Sequence, residues 1–414
     1  MSPAALRSLR SRRILLADAD EFYVAVARMV DPEGAGRARL LIVGGSRESR
    51  GVVCSASYET RKFGVRSAMP IARALRLCSE AMCVPVPRKA CSVKSREIRA
   101  VLERFAPVVE GASIDEWYLD LTATEAVYHD EPLGETAHRM RGAVRRATDL
   151  SISIGGGTNK LIAKLAVERA KPKPGTGADG VHIVQPGAEE EFLRGFALAD
   201  IPLVGPKFQQ RLAVLGMTTV PDVLRHDLPT LRGWLGASEA EWLWNRVHGI
   251  DHSEVEAGGE AKSISRDETF AEDLSEDADL ERELLALVTR AAFDLRRDGL
   301  TARTITVRIR DMDFRNRSAR RTLAEHVVSD RVIMGVGREL LAKLRKARRV
   351  PARLLSVALS SLSSDPGVDQ LALFPGAEDP LAETDRDRAI ARTVDRVREK
   401  FGAKGILPAS LIEE

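Results

Sequence analysis

Apolar runs and helical periods alternate through the first half of the chain. "RRILLADADEFYVAVARMV" (12–30) runs apolar into Asp18 and Asp20 and then takes up helical spacing. This predicts a buried strand with carboxylates at its end, where side chains project into a crevice, followed by a helix. "RARLLIVGG" predicts a second strand, and "GVVCSASYETRKFGVRSAMPIARALRLC" a strand leading into helical segments. "SVKSREIRAVLERFAPVVEGASIDEWYLDLT" reads as a helix, a strand, a tight turn carrying Asp115 and Glu116, and a further strand. "LGETAHRMRGAVRRATDLSISIGGGTNKLIAKLAVERAKPKPG" follows as helix, strand, glycine turn, helix and proline-rich stop. Such an order makes an α/β or α+β layer, and no internal repeat is present.

From 183 to 250 the pattern is helical and turn-rich, with two short helices around the Gly-Pro turn of "ADIPLVGPKFQQRLAVLGMTTVPDVL". "HSEVEAGGEA" has no apolar period and reads as a linker. The stretch after it follows a β-α-β-β-α-β order. In its second strand Ile305, Val307 and Ile309 face one way, and Thr304, Thr306, Arg308 and Arg310 the other. A face of hydroxyls and guanidiniums suits phosphates.

Charge sharpens that picture. The 414 residues carry a net charge of only +3, yet 302–353 holds fifteen Lys and Arg against five Asp and Glu. The last fifty residues reverse the sign, with eleven acidic against seven basic. A polyanion held by the basic region is one reading, and a solvated basic face is the other. No run of eighteen apolar residues is present to cross a membrane. The start, "MSPAALRSLRSRR", lacks the apolar stretch of a secretory signal. Cys54, Cys78, Cys83 and Cys91 form no CxxC pair, which suits free thiols in a bacterial cytosol. The seven His are scattered, so a metal here is expected on oxygen ligands: Mg²⁺, Mn²⁺ or Ca²⁺.

Adjacent carboxylates at 115 and 116, flanked by Ile114, Trp117, Leu119 and Leu121, repel one another and call for a compensating cation. Together with Asp18 they have the make-up of a site for two divalent ions about 3.5–4 Å apart, as phosphoryl transfer requires. From spacing alone an acidic surface turn is the alternative. Tyr58 and Arg61 stand three apart, and Lys164 and Lys171 seven apart, each pair on one helix face. Cations beside a metal pair clamp a triphosphate; elsewhere they are ordinary solvated side chains.

The set "ADADEFYVAV", "SYETRKFGVRSAMPI", "ASIDEWYLD" and "NKLIAKLAVERAKP", in that order, resembles the Y-family DNA polymerases, the translesion enzymes, and their DNA polymerase IV branch in particular. The resemblance runs from about Arg13 to Leu362. It implies an α+β multidomain right-hand polymerase with palm, small fingers, helical thumb and β-α-β-β-α-β little finger. The expected boundaries are 11–21 and 88–180 for the palm, 22–87 fingers and 181–253 thumb. A linker at 254–262, the little finger at 263–363 and a tail at 364–414 complete the chain.

Carried over by position, the resemblance implies a metal-binding, catalytic triad of Asp18, Asp115 and Glu116, with the Ala19 carbonyl as a further ligand. The ions would be two Mg²⁺, with Mn²⁺ as the substitute. Tyr58, Arg61 and Lys171 match positions that contact the incoming triphosphate, and Ser55 adds a hydroxyl there. Tyr23 matches the steric gate whose ring excludes a 2′-OH; a core tyrosine is its bland alternative. "IPLVGPKFQQRLAVLG" resembles a helix-hairpin-helix, which meets DNA through amides near Lys207. Arg308 and Arg310 would straddle the duplex without reading sequence. "QLALF", with Gln370, Leu371, Leu373 and Phe374, looks like a sliding-clamp peptide; a packed tail strand is the other reading. Ile390, Val394, Val397 and Phe401 then repeat at helical spacing, predicting a helix docked on the body or on a partner.

Some positions depart from the family pattern. Glu21 stands where a small or aromatic residue is common, Trp117 where Ala is, and Leu203 replaces the usual hairpin Gly. "GGGTNK" is glycine-rich, but lacks Walker-type phosphate-loop spacing. The resulting expectation is a template-directed, low-fidelity DNA polymerase without proofreading. It would work on primer-template DNA and dNTPs with the sliding clamp, as a cytoplasmic monomer without membrane contact. Rivals are a catalytically dead adaptor, which keeping all three carboxylates opposes, and a nucleotidyl cyclase, which has no use for the basic module.

Overall fold

The computed structural model describes residues 11–46, 50–172, 177–364, 381–402 and 405–412. The chain forms two compact units, 1–259 and 260–414.

The first unit contains β1 (Ile14–Ala19), β2 (Leu41–Gly44), β3 (Val53–Ala56), β4 (Met82–Pro85), β5 (Val108–Gly111), β6 (Glu116–Asp120), β7 (Ile152–Gly157) and β8 (Val181–Ile183). The larger sheet runs β5-β6-β1-β7-β8, and β3-β2-β4 make a small second sheet. In the larger sheet all pairs are antiparallel except β7 with β8. β1 lies in the middle and is buried throughout, as its unbroken apolar run requires.

Strand alternation sorts the two faces. Ala17, Ala19, Trp117, Leu119, Ile152 and Ile154 form one core with helices Arg88–Leu102 and Leu133–Thr148. On the other face Ile14, Leu16 and Tyr118 meet Ala163 and Val167 of helix Lys160–Ala170. Asp18 and Glu116 share this second face by parity. Trp117, only 2% exposed, therefore points away from them. Its cross-strand neighbour is the small Ala17, which leaves room for the indole.

The glycines of "GGGTNK" lie within β7, so they form no phosphate loop. Gly155 lies under helix Lys160–Ala170, where a Cβ would collide with the backbone of Val167 and Ala163. Glycine is needed there to let the helix sit close on the sheet.

The chain then builds a helical core from Pro206–Val214, Val220–Leu224, Leu228–Leu235 and Ala237–Val247. Before these helices only a single 3₁₀ turn, Leu198–Asp200, stands where the hairpin reading expects a first helix. Leu203 takes the left-handed conformation of a hairpin glycine, φ 72°, and is 80% exposed. The backbone shape is kept with a leucine, at roughly 1–2 kcal/mol of strain.

The second unit contains β9 (Ser263–Leu274), β10 (Thr301–Asp311), β11 (Asn316–Val327) and β12 (Ala352–Ser363), in the order β11-β10-β12-β9. All its pairs are antiparallel. Helices Asp277–Arg297 and Asp330–Ala347 pack on one face, over Ile305, Val307 and Ile309. The alternation read in this strand is present, with Thr304, Thr306, Arg308 and Arg310 on the opposite face.

Helix Asp385–Phe401 is formed, with Thr384 and Asp387 in a capping box, and it lies on this unit. Its apolar stripe docks only in part, with Val394 and Val397 half-buried. Ile390 is 52% and Phe401 67% exposed, while Ala391 and Arg398 are buried. Ionic contacts add to these: Arg296 grips Asp395 at 2.5 and 2.9 Å, and Arg331 grips Asp387 at 2.7 and 2.9 Å. Arg296 is almost wholly buried and needs counter-charge, so ion pairing shares the seating of the helix with its apolar positions. Among the described residues no helix is long and apolar enough to cross a membrane.

Candidate active site

β1 and β6 bring the carboxylate positions together. Asp18 stands directly opposite Glu116 in the strand register. One step further, the Ala19 amide donates to the Asp115 carbonyl at 2.9 Å, closing the hairpin turn onto the end of β1. The Asp115 side chain accepts from Ser113 Oγ at 2.5 Å. Asp20 is anchored separately, accepting from Ser153 Oγ on β7 at 2.7 Å. The backbones of the three acidic residues are thus adjacent. Among the described residues, however, no three acidic, His or Cys side chains are gathered closely enough to form a ligand cluster.

Two ammonium groups reach this end of the sheet from one helix. Lys164 Nζ bonds Glu116 Oε1 at 2.5 Å. Lys171, which ends the helix, lies 3.0 Å from Asp18 and 2.6 Å from Glu168. Asp18 is only 7% exposed. Burial pushes its carboxyl up to about 7; Lys171 pulls the other way, and Glu116 adds repulsion. Burial acts to lower the Lys171 pKa, but Asp18 and Glu168 overcome it, so the pKa is raised and the side chain stays charged. A desolvated carboxylate facing a second one is the environment a hard divalent cation relieves, and here the Lys171 and Lys164 ammonium groups already meet part of that demand. Asp18 and Glu116, opposite each other in the strand register, supply the oxygen ligand type such an ion takes.

The residues expected to contact a nucleotide come from the adjoining segments. Tyr58 and Arg61 lie in the short helix Tyr58–Arg61, capped by Ser57, with the Arg61 guanidinium 5.1 Å from the Tyr58 ring centre. Arg61 donates to the Ala56 carbonyl at 2.8 Å and to Ser55 Oγ at 3.4 Å, which ties Ser55 to it. Burial, with Asp20 and Glu21 adding to it, pushes the Tyr58 hydroxyl up to about 12. Tyr23 is half-buried, edge-on to Phe22 at 5.6 Å. Its hydroxyl is raised by burial first and then by Asp115. Glu21 sits at φ 47°, its carboxyl raised by burial although the Tyr58 amide and Arg61 oppose the shift. Its Oε1 is buried with no hydrogen-bond partner among the described residues.

Lys207 is exposed in the first turn of helix Pro206–Val214. In the second unit Arg308 pairs with Asp267 at 2.7 Å and Arg310 donates to Asn316 at 2.9 Å. Gln370, Leu371, Leu373 and Phe374 lie outside the described residues. Sequence reasoning marked Lys164 only by its spacing and missed Ser153 and Ser113. Strand parity alone would have pointed to Glu116 and the helix above it as one face.

Comparison with known proteins agrees with this architecture. Residues 17–168 match the impB/mucB/samB family, and 261–373 match the impB/mucB/samB family C-terminal domain. DNA polymerase IV of Gluconobacter oxydans is 34% identical over 369 residues, 88% of this chain and 100% of the relative. DNA polymerase IV of Dehalococcoides mccartyi is 33% identical over 395 residues, 95% of this chain and 96% of the relative. Among solved structures, a Y-family chimera of Dbh and Dpo4 superposes with a TM-score of 0.73 at 24% identity, covering 84% of this chain and 98% of that one. An insertion ternary complex of Dbh DNA polymerase gives 0.59 at 24% identity over the same shares. The chain belongs to the Y-family DNA polymerases, in the DNA polymerase IV branch.

Proposed function

We propose that this chain is a template-directed, low-fidelity DNA polymerase for translesion synthesis, acting by two-metal nucleotidyl transfer without proofreading. The observation that carries the proposal is the pairing of β1 with the hairpin. It sets Asp18 against Glu116 and ties Ala19 to Asp115. Asp18, Asp115, Glu116 and the Ala19 carbonyl would hold two Mg²⁺, with Mn²⁺ as the substitute. When bound, the ions supply activation of the primer 3′-hydroxyl and neutralisation of the triphosphate.

The chain's own groups do the rest. Arg61 and Lys171 bring positive charge to the triphosphate, and the Tyr58 hydroxyl, kept protonated, donates to it. Ser55, fixed by Arg61, adds a second hydroxyl. The Tyr23 ring takes up the space a 2′-OH would need. Lys207 and the nearby amides meet DNA phosphates, as do Arg308 and Arg310 on the open face of the second unit. In this reading 11–21 and 88–180 form the palm, 22–87 the fingers and 181–253 the thumb. A linker at 254–262 leads to the little finger at 263–363. Gln370–Phe374, in the tail at 364–414, docks on the sliding clamp, and the protein works as a cytoplasmic monomer.

Primer extension with Mg²⁺ tests the proposal. Asp115→Ala and Glu116→Ala should each reduce incorporation below detection while primer-template affinity stays within about twofold of wild type, since neither is a phosphate contact. Full activity in either variant would refute the assignment.

A further inference from the structure

Helix Lys160–Ala170 sends three ammonium groups to three carboxylates of the sheet. Lys160 meets Glu110 at 2.5 Å, Lys164 meets Glu116 at 2.5 Å and Lys171 meets Asp18 at 3.0 Å. The proposed function uses only Lys171. Lys164 is no loose surface side chain, because several contacts seat its helix. Asn159 caps the Ile162 amide at 3.0 Å, and Asp251 accepts the Leu161 amide at 3.1 Å while paired with Arg246 at 3.2 Å. Gly155 brings the helix backbone down onto β7. The Lys164 ammonium is therefore delivered to one oxygen of Glu116 by a fixed scaffold.

We infer that Lys164 is a positioning residue for Glu116: it holds that carboxylate toward the helix and sets how tightly it takes a divalent ion. The inference rests on the metal reading of the site given above. A carboxylate oxygen at hydrogen-bond distance from an ammonium has already met part of its demand for positive charge. A divalent ion at the same group must share it or displace the lysine, so the lysine weakens the ion's hold. A purely structural ion pair would influence folding but not metal affinity.

The test titrates Mn²⁺ alone into the full chain and follows free Mn²⁺ by electron paramagnetic resonance. Lys164→Met should tighten the site by about two- to fivefold, the equivalent of a partly exposed ion pair. Lys164→Arg, which keeps the charge, should bind as wild type does. Equal or weaker binding by Lys164→Met overturns the inference, as does an arginine variant that behaves like methionine. Glu116→Gln separates this failure from that of the metal reading: if Mn²⁺ affinity does not fall in that variant, Glu116 is no ligand whatever Lys164 does. A thermal melt checks that each variant folds, and Lys164→Gln serves in place of methionine if that one does not.

Discussion

Tyr23 sits in the first turn of helix Phe22–Val30, just past the carboxylate end of β1, with Phe22 edge-on to it and Asp115 in its electrostatic field. Both rings are set by the left-handed turn at Glu21, which redirects the chain from strand to helix. In the proposed gate role this ring would exclude a 2′-OH by bulk, and its raised hydroxyl pKa keeps it neutral. Tyr23→Ala should therefore raise ribonucleotide insertion relative to deoxyribonucleotide by roughly 10–200-fold, the range one misfit group in a pocket commands. Single-nucleotide kinetics with rNTP and dNTP measure the ratio; unchanged sugar discrimination would remove the gate assignment. Glu21 and Leu203 carry a related lesson. Both hold positive φ without glycine, at positions whose residue type departs from the family pattern.

Helix Lys160–Ala170 is the element on which the site depends, because its closeness to β7 sets the reach of three lysines. Gly155→Ala places a methyl against the backbone of Val167 and Ala163, which cannot rotate aside. We expect a loss of about 1–3 kcal/mol in stability from overpacking. Nucleotide incorporation should fall more steeply than primer-template binding as Lys171 moves off Asp18 and out of reach of the triphosphate. Denaturant melts and extension assays together would show it; wild-type stability would mean that the helix yields freely. Elements of this kind differ in how far the chain announces them. The alternation around Ile305, Val307 and Ile309 is legible because one face of β10 is buried and the other is not. β1 is legible as an apolar run ending in aspartate, since a central strand buries both faces. The helix at 385–401 is legible as a helix, but its seating is not: Asp387 and Asp395 find Arg331 and Arg296 far away in the sequence, and no local period encodes those partners. The pairing of Lys164 with Glu116 was hidden for the same reason. Trp117 becomes intelligible only once Ala17 is known to lie across from it.

At the scale of the molecule the charges nearly cancel, 63 basic against 60 acidic, yet they are not mixed evenly. The acidic groups proposed to hold the metals end β1 and begin β6 in the first unit, whereas the open face of β10 in the second presents arginines. If that face grips the duplex by phosphates alone, binding should weaken with salt by a log–log slope of about −0.9 for each phosphate neutralised. Removing Arg308 and Arg310 together should flatten the slope by about 2, and equally so for unrelated sequences, because backbone contacts carry no base information. Arg308 already pairs with Asp267, so its loss also bares an acidic side chain, and affinity should fall further than the slope alone implies. Anisotropy titrations across a salt series on two unrelated primer-templates resolve both effects. A double variant with an unchanged slope would move the DNA contact off this sheet, and one that altered the slope on only one sequence would make the face a reader of bases instead of a grip on the backbone.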